Sequence, residues 1–331
     1  MADFDGGAST LTRPSETVTP ALAQHIVDAR QFTREWLEAQ LFPLARDLQQ
    51  TPADQLPQLL RGKRLCHLFY EPSTRTRISF EAAMTLLGGS VTSMEGHEQR
   101  PDEERLEDRV MVLNEYLYDF LVLRYFEEGG ARRAAKVSRI PVINAGDGVG
   151  QHPTQALLDV YTIWRELGRL DGLRLALVGD LTYERTTNSL AYVLGLFPGL
   201  TIYLVSPQVL RMRDEVRDYL GARGATVVIE RDLRSIAGDL DVMYLTRAHS
   251  SRLNHAARFD GPAGHFVVDD VVMNRLPGHS VILHPLPRGA ELPPECDGDW
   301  RVACFRQAHN GLFVRMALLT LLARGHGPDQ Q

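Results

Sequence analysis

The chain has 331 residues and 44% of them are hydrophobic, which is enough apolar material for the cores of two domains of ordinary size. Its formal net charge of -6 at pH 7 and its pI of about 6.0 argue against a nucleic-acid-binding protein, because such proteins usually carry a basic excess. It has no run of about 18 apolar residues and no cationic start followed by an apolar stretch, so the sequence predicts neither a membrane span nor export.

Cysteine usage and missing motifs narrow the chemistry further. Cys66, Cys296 and Cys304 are odd in number and lack the spacing of metal ligands, so we expect a reducing, cytoplasmic location and no metal site. The sequence has no glycine-rich dinucleotide motif after a strand, no phosphate-binding P-loop, no zinc-protease motif and no serine-nucleophile elbow. We therefore expect no cofactor.

The chain alternates between short apolar runs and stretches of helical period, which is typical of parallel sheets with crossover helices. Residues 1–20 are terminal and carry no such pattern, so we expect them to be disordered. The predicted strands, in chain order, are 64–70, 119–125, 140–148, 173–180, 201–207, 225–230, 241–247 and 280–287. The predicted helices that bear on function are 75–88, 151–167 and 311–325. Helix 151–167 lies between the two groups of strands, so we place the domain boundary there.

A polar cluster follows the first predicted strand and opens a helix. It consists of Ser73, Thr74, Arg75, Thr76 and Arg77, and the apolar positions of the helix behind it are Ile78, Ala82, Ala83, Leu86 and Leu87. Unpaired N–H groups at a helix N-terminus favour an anion, and hydroxyl groups and arginine forks add donors that match phosphate oxygens. A simple helix cap would need one such residue rather than five. The cluster therefore predicts a phosphate-type anion site.

A second polar cluster opens the helix that begins near residue 151. Its members are His152, Thr154 and Gln155. His152 can donate a hydrogen bond to a carbonyl oxygen, and Gln155 can bond an amide. A lone histidine is more often structural than functional. Three polar residues at one strand-to-helix junction leave the structural and the functional interpretation about equally open.

Arginines recur at or just after the remaining strands. They are Arg124, Arg185, Arg247 and Arg252. Each one alone would be interpreted as a surface residue or an ion-pair partner. Because the carboxyl ends of parallel strands meet at one crevice, four such cations favour substrates with several negative charges. No covalent nucleophile is evident, so we expect direct transfer, driven by positioning and by polarising a carbonyl group.

Six motifs occur in an order that resembles the aspartate/ornithine carbamoyltransferase family. They are "EPSTRTRISFE", "NAGDG", "QHPTQALLD", "GDLTYERTTNSL", "LTR" with Arg252 five residues after Arg247, and "LHPLPR", and the similarity runs from about His25 to Gly325. The chain is most similar to catalytic chains of the aspartate branch. The ornithine branch would show an "HCLP" loop and a Ser-Met-Gly segment, where this chain has "HPLP" and "VVDDVVMN".

The resemblance implies an activity and a role for each site residue. The enzyme would transfer the carbamoyl group of carbamoyl phosphate to the amine of L-aspartate, giving N-carbamoyl-L-aspartate and phosphate, in pyrimidine biosynthesis. The residues implied for carbamoyl phosphate are Ser73, Thr74, Arg75, Thr76, Arg124, His152 and Gln155, of which Thr76, Arg124 and His152 would be catalytic. The residues implied for aspartate are Arg185, Arg247, His249, Leu286 and Pro287. Glu71 and Arg252 would join the two domains when they close.

The resemblance further implies an α/β fold of two doubly wound parallel-sheet domains joined by interdomain helices. We expect the carbamoyl-phosphate-binding domain at 21–150 and the aspartate-binding domain at 151–305. Residues 306–331 would form a C-terminal helix that packs back on the first domain. The implied partners are the two small-molecule substrates and further copies of the chain, in a homotrimer with shared active sites. A larger complex with regulatory or dihydroorotase subunits stays open, and no nucleic acid or membrane is expected.

Two departures from the family pattern leave the amine acceptor open. The family has a lysine in a loop that reaches the neighbouring subunit's site, and residues 94–108 contain no lysine. Arg100 is the candidate replacement and His97 is the alternative. His249 stands where the family usually has a glutamine. Two other hypotheses therefore remain, namely a transcarbamylase for a different amine and a weakly active paralogue that serves as a structural partner.

Overall fold

The computed structural model describes residues 24–95, 104–247, 266–325 and 327–328. The helices are α1 Arg34–Trp36, α2 Phe42–Gln50, α3 Thr74–Leu86, α4 Leu106–Glu115, α5 Gly130–Val137, α6 Pro153–Leu167, α7 Arg185–Leu194, α8 Asp214–Ala222, α9 Leu233–Ile236, α10 Asp270–Arg275 and α11 Cys304–Ala323. The strands are β1 Arg64–Phe69, β2 Ser90–Glu95, β3 Phe120–Tyr125, β4 Val142–Asp147, β5 Arg174–Val178, β6 Thr201–Val205, β7 Thr226–Glu230, β8 Val242–Leu245 and β9 Val281–Leu283. Within these residues, no helix has both the length and the apolar content that crossing a membrane requires.

The strands form two separate sheets, each entirely parallel. The first sheet has the order β2-β1-β3-β4 and the second has the order β7-β6-β5-β8-β9. The strand order reverses between β1 and β3 in the first sheet and between β5 and β8 in the second, and ligands of doubly wound sheets collect at such switch points. The expected fold of two parallel-sheet α/β domains is confirmed.

Helices α6 and α11 connect the two halves. Helix α6 packs against β4 of the first sheet and β9 of the second, and eleven of its residues, Pro153 to Ile163, are buried. Helix α11 packs against α2, α3 and α6, so the end of the chain returns to the first half. A helix buried on nearly all sides must satisfy its polar side chains internally, which concentrates hydrogen bonds where α6 and α11 meet.

Most predicted elements are present, with shorter ends than expected. Every predicted strand has a counterpart, and the two central helices are found at α3 and α6. The structure differs from the sequence-based prediction at three points. Strand β2 was not predicted, α11 begins at Cys304 rather than near 311, and Ile78 is not a core residue, because its side chain is 54% exposed. The expected disorder of residues 1–20 concerns a segment that lies outside the described residues.

Candidate active site

A large cleft lies where the carboxyl ends of the two sheets face each other. Its volume is about 1120 Å³. Eleven residues singled out from the sequence line it: Glu71, Ser73, Thr74, Arg75, Thr76, Arg124, His152, Gln155, Arg185, Leu286 and Pro287. The structure therefore brings together side chains that are up to 216 positions apart in the sequence, from Glu71 to Pro287.

Arg247 is the one other predicted site residue among the described residues, and it does not line this cleft. Arg247 is described and exposed, at the end of the segment that follows β8. A Cβ atom built on Gly289 would lie 3.6 Å from Arg247 Nε, so this arginine borders the loop that carries Leu286 and Pro287. Arg100, His249 and Arg252 lie outside the described residues, as does His97.

The first turn of α3 presents its donors to the cleft. Ser73 occupies the N-cap position, but its hydroxyl makes no capping hydrogen bond to the helix. Instead Ser73 Oγ accepts a hydrogen bond from Arg124 Nη1 at 3.3 Å. Thr76 is buried, whereas Thr74 and Arg75 are exposed at the cleft. The capping interpretation thus fails for Ser73, and the helix N-terminus and the hydroxyl groups remain directed to a shared space.

Arg124 reaches the cleft from the end of β3. Its Nε donates to Glu71 Oε2 at 3.2 Å, and its Nη1 also donates to Ala145 O at 3.3 Å. Burial, followed by the repulsion from Arg185, lowers the pKa of Arg124 to about 10. The side chain therefore remains a cation at neutral pH, in a partly desolvated position where its charge acts strongly on a bound group.

Arg185 approaches the same carboxylate from the second half of the chain. It is the first residue of α7, and its Nη2 donates to Glu71 Oε2 at 3.2 Å while its Nη1 donates to Gly148 O at 2.7 Å. The side chain of Arg185 is only 14% exposed. Glu71 therefore joins a residue of β3 to a residue of α7, and an ion pair crosses between the two sheets.

His152 lies at the N-cap of α6, beneath the first turn of α3. Its Nε2 lies 3.4 Å from Thr76 Oγ1, its Nδ1 lies 3.4 Å from Thr154 Oγ1, and its backbone N–H donates to Ser189 Oγ at 2.7 Å. Burial, followed by the charges of Arg185, Arg124 and Arg315, lowers the pKa of His152 well below 6.5. The imidazole is therefore neutral at physiological pH and can donate one N–H to an oxygen in the cleft.

Gln155 lies one turn further along α6, where it meets a buried carboxylate. Gln155 Nε2 donates to Asp159 Oδ1 at 2.9 Å. Burial raises the pKa of Asp159 to about 7, although the hydrogen bonds from Gln307, Tyr244 and Gln155 oppose that rise. Asp159 belongs to a motif that the sequence singled out, yet no role was assigned to it.

The loop after β9 forms the opposite wall. Leu286 has a φ of 57°, a left-handed conformation that is costly for a leucine, and its N–H donates to His284 Nδ1 at 2.8 Å. Because His284 Nδ1 accepts that bond, its Nε2 carries the proton and donates to Glu291 Oε1 at 3.0 Å. Arg75 Nη2 donates to the carbonyl oxygen of Leu286, so the first turn of α3 and this loop touch directly.

Sequence reasoning missed three residues at the base of the cleft: Asp159, Gln307 and Arg315. Gln307 and Arg315 lie on α11 and line the cleft. Arg315 is 4% exposed, its guanidinium lies 5.2 Å from the centre of the Phe80 ring, and its Nε has no hydrogen-bond partner among the described residues. Burial lowers the pKa of Arg315 to about 10, so it adds a fourth cation to the cleft. The i, i+4 spacing of Gln155 and Asp159 was the one signal in the sequence that could have indicated Asp159.

The chemistry available in this cleft is polar and cationic. Arg75, Arg124, Arg185 and Arg315 surround a space that also receives helix N–H groups, two threonine hydroxyls and a neutral imidazole. In the described part of the chain, no group of three or more His, Cys, Asp or Glu side chains is arranged to hold a metal ion. Such a cleft suits a polyanionic substrate whose carbonyl oxygen gains negative charge during reaction.

Comparison with known proteins gives matches over nearly the whole chain. Residues 24–165 match the family described as "Aspartate/ornithine carbamoyltransferase, carbamoyl-P binding domain", and residues 171–322 match "Aspartate/ornithine carbamoyltransferase, Asp/Orn binding domain". Over 305 residues the chain is 46% identical to aspartate carbamoyltransferase 3, chloroplastic, of Pisum sativum, covering 91% of this chain and 78% of that protein. It is 44% identical to the aspartate carbamoyltransferase catalytic subunit of Methanopyrus kandleri, covering 91% of this chain and 97% of that protein.

A solved structure extends the match to three dimensions. Aspartate transcarbamoylase from Trypanosoma cruzi, in complex with N-(phosphonacetyl)-L-aspartic acid, superposes with a TM-score of 0.81 at 36% identity. The match covers 89% of this chain and 94% of that one.

The comparisons also correct one expectation. The cytoplasmic location expected from the sequence is wrong by this comparison, because the relative from Pisum sativum and the other plant relatives are chloroplastic proteins. That expectation rested on cysteine usage and on missing apolar leaders. Those features report the redox environment and membrane insertion, and neither identifies a compartment.

Proposed function

The chain belongs to the aspartate/ornithine carbamoyltransferase family, and from that premise we propose that it is an aspartate carbamoyltransferase. It transfers the carbamoyl group of carbamoyl phosphate to the amine of L-aspartate and releases N-carbamoyl-L-aspartate and phosphate, a step that serves pyrimidine biosynthesis. The observation that carries the proposal is the cleft itself. It unites a helix N-terminus suited to phosphate, a neutral histidine and arginines from both sheets, in a chain 46% identical to an aspartate carbamoyltransferase.

The first sheet supplies the donor site. Ser73, Thr74, Arg75 and Thr76 hold the phosphate at the N-terminus of α3, because backbone N–H groups, hydroxyl groups and a guanidinium together match its oxygens. Arg124, Thr76 and His152 face the carbamoyl oxygen, and Gln155 holds the carbamoyl amide. This assignment is supported by the Ser73 hydroxyl, which bonds Arg124 rather than capping its helix, and by the 3.4 Å separation of Thr76 Oγ1 and His152 Nε2.

The second sheet and the loop after β9 supply the acceptor site. Arg185 and Arg247 bind the carboxylates of aspartate, with His249 beside them. Leu286 and Pro287 belong to the loop after β9, and the carbonyl oxygen of Leu286 accepts a hydrogen bond from the amine. Arg185 lines the cleft and Arg247 borders the same loop at Gly289, which supports this assignment.

The reaction needs no protein nucleophile. The neutral amine of aspartate attacks the carbamoyl carbon, and the carbonyl oxygen becomes an oxyanion that faces Arg124, Thr76 and His152. The C–O bond to phosphate then breaks as the C–N bond is completed, and the departing phosphate takes the proton from the amine. Donors already fixed in place stabilise the oxyanion without reorganisation, which is the main contribution of such a site.

The contact between Arg75 and Leu286 supports an order of binding. In the structure, Arg75 donates to the carbonyl oxygen that would receive the amine. A phosphate that engages Arg75 releases this carbonyl, so bound carbamoyl phosphate prepares the acceptor site. Glu71 and Arg252 then hold the two domains together over the substrates.

The assembly is a homotrimer in which sites are shared between neighbours, and Arg100 supplies the cation of the neighbouring subunit. This part of the proposal rests on family membership and on the loop at 94–108.

A screen of amine acceptors tests the proposed function. The purified chain is incubated with carbamoyl phosphate and each of a set of amino acids and amines, and phosphate release and product mass are measured. Aspartate should give the highest kcat/KM and a product with the mass of N-carbamoyl-aspartate. A higher kcat/KM with another amine would establish the alternative transcarbamylase, and turnover with none would support the weakly active paralogue.

A further inference from the structure

Asp159 is the centre of a buried hydrogen-bond network beneath the cleft. Its side chain is fully buried on α6, and its Oδ1 accepts from Gln155 Nε2 at 2.9 Å and from Gln307 Nε2 at 2.6 Å. Its Oδ2 accepts from Tyr244 Oη at 2.8 Å. The three donors come from α6, α11 and β8, so one carboxylate fixes three elements against each other.

The carboxylate determines which way the Gln155 amide points. Oδ1 of Asp159 accepts from two amide groups and donates to neither, so the NH₂ end of Gln155 faces Asp159. Gln155 lines the cleft, and its carbonyl oxygen Oε1 is then the atom that faces the cleft. An acceptor there matches the N–H groups of a carbamoyl amide. The opposite orientation of Gln155 would offer two donors to those N–H groups and would not bind them.

Gln307 extends the network to the opposite wall. While its Nε2 donates to Asp159, its Oε1 accepts from the backbone N–H of His284 at 2.9 Å. His284 in turn accepts the N–H of Leu286 at its Nδ1, at 2.8 Å. The loop that carries the Leu286 carbonyl is therefore anchored, through Gln307, to the same carboxylate that orients Gln155.

We infer that Asp159 and Gln307 are positioning residues that fix the distance between the two reacting groups. On this inference, which rests on the proposed function, Gln155 holds the carbamoyl group and the Leu286 carbonyl holds the amine. The path Gln155–Asp159–Gln307–His284–Leu286 joins these two contacts by four hydrogen bonds. Neither Asp159 nor Gln307 needs to touch a substrate. Their effect is exerted by geometry, and a displacement of about 1 Å between reacting groups can lower a rate about 100-fold.

Four variants separate positioning from general stability. Gln307→Met keeps the length of the side chain but cuts the link between Asp159 and the loop. Tyr244→Phe is the matched control, because it removes one hydrogen bond from the other oxygen of the same carboxylate and leaves the path intact. Asp159→Leu removes the centre of the network. In Asp159→Asn, the Oδ1 atom can still accept from both glutamines while Nδ2 donates to the Tyr244 oxygen.

The experiment measures kcat, both KM values and carbamoyl phosphate affinity for each variant. We expect kcat to fall about 30- to 100-fold in Gln307→Met and Asp159→Leu, with carbamoyl phosphate affinity changed by less than about threefold in Gln307→Met, which keeps the bond between Gln155 and Asp159. Tyr244→Phe should stay within about threefold of the original rate, and Asp159→Asn should recover most of the rate lost in Asp159→Leu. A Gln307→Met rate within about threefold of the original chain would overturn the inference. An equal fall in Tyr244→Phe would overturn it as well, because the effect would then be one of stability.

A structural measurement keeps the inference independent of the acceptor and of activity. In a crystal structure of Gln307→Met with carbamoyl phosphate, the distance between Gln155 Oε1 and Leu286 O should differ by about 1 Å or more from that in the original chain. An unchanged distance would reject the positioning role, even if Asp159→Leu fails to fold. If the original chain does not use aspartate but the distance shifts as expected, the proposed acceptor is wrong and the positioning role stands.

Discussion

Arg185 donates from Nη2 to Oε2 of Glu71 across 3.2 Å, and this contact joins the start of α7 to the segment after β1. The same oxygen also accepts from Arg124 at 3.2 Å. One carboxylate thus occupies two of the cations that we assign to substrates. Because Arg124 is assigned to carbamoyl phosphate and Arg185 to aspartate, Glu71 holds the guanidinium groups of both in place and couples substrate binding to domain contact.

Glu71→Gln should weaken aspartate use much more than carbamoyl phosphate binding. The amide keeps one acceptor oxygen but loses the charge, and charge-assisted hydrogen bonds are about twice as strong as neutral ones. We expect kcat/KM for aspartate to fall about tenfold, measured by initial rates, and carbamoyl phosphate affinity to change less than about threefold. The control is Glu128→Gln, a carboxylate that lines the same cleft but is paired with Arg213. Equal losses in the two variants would contradict the coupling.

Arg75→Ala should cost about 2–4 kcal/mol of transition-state stabilisation, the range for loss of a charge-directed donor. The measurement is kcat/KM for carbamoyl phosphate. Arg77→Ala on the same helix serves as the control, since Arg77 does not line the cleft. Activity of Arg75→Ala within about threefold of the original chain would reject the phosphate-site assignment.

Arg247→Ala should raise the KM for aspartate far more than the KM for carbamoyl phosphate, because its proposed partner is an acceptor carboxylate. We expect at least a tenfold rise, the effect of losing about 1.4 kcal/mol of binding. Arg275→Ala, whose guanidinium bonds a backbone carbonyl away from the cleft, should leave both KM values unchanged. Similar increases for the two substrates in Arg247→Ala would place this residue elsewhere in the mechanism.

His152 should remain neutral across the physiological pH range. Its pKa in the folded protein is lowered well below 6.5, first by burial and then by Arg185, Arg124 and Arg315. The folded state therefore binds fewer protons than the unfolded state just below pH 6.5, so this residue's contribution to stability is complete above pH 6.5 and is lost as pH falls. NMR of ¹⁵N-histidine-labelled protein should show a neutral His152 ring from pH 8 to pH 6. An imidazolium signal with a midpoint near 6.5 would show that the ring titrates normally.

Mixing two inactive variants should restore activity if sites are shared between subunits. Arg75→Ala damages the donor site and Arg100→Ala damages the loop proposed to reach the neighbouring site, so some mixed trimers regain one intact site. The mixture of Arg75→Ala with Arg124→Ala is the control and should stay inactive, because both changes lie in the same wall of the cleft. No recovery in the first mixture, or an Arg100→Ala variant as fast as the original chain, would reject Arg100 as the replacement cation. If His97 supplies the cation instead, activity should fall as pH rises through its pKa, near 6.5 for an unperturbed histidine.

The fold was predictable where a buried element appears in the sequence as a run of apolar residues. The central strands β1, β3 and β5 are short apolar runs, and they were located within a few residues. Strand β2, "SVTSME", was missed because it lies at the edge of its sheet, where most of its side chains face solvent and no apolar run is needed. The start of α11 was missed for the opposite reason. Its first turns carry Gln307 and Asn310, which look like surface residues but are buried against polar partners on α6 and α2.

The site residues could be predicted only where they belong to a local sequence motif. The positions of Ser73 to Thr76 and of the His152 cluster at helix starts made them interpretable. The unpaired N–H groups of a helix N-terminus favour an anion and hydrogen-bond acceptors. The relation between Glu71, Arg124 and Arg185 depends on two sheets meeting, and no local pattern indicates it. Asp159 and Gln307 are 148 positions apart and meet only when α11 returns to α6. Local sequence rules do not encode contacts of that separation.

Helix α11 is synthesised after every other wall of the cleft. A nascent chain can form the first sheet, the anion-binding turn of α3 and the second sheet while Gln307 is still to be translated, because domains fold in order from the N-terminus. The loop after β9 acquires its anchor to Asp159 only when α11 docks between α2, α3 and α6. A ribosome-stalled chain that ends before Cys304 would therefore contain the anion-binding turn without the completed active site, and translation of the final helix would complete it.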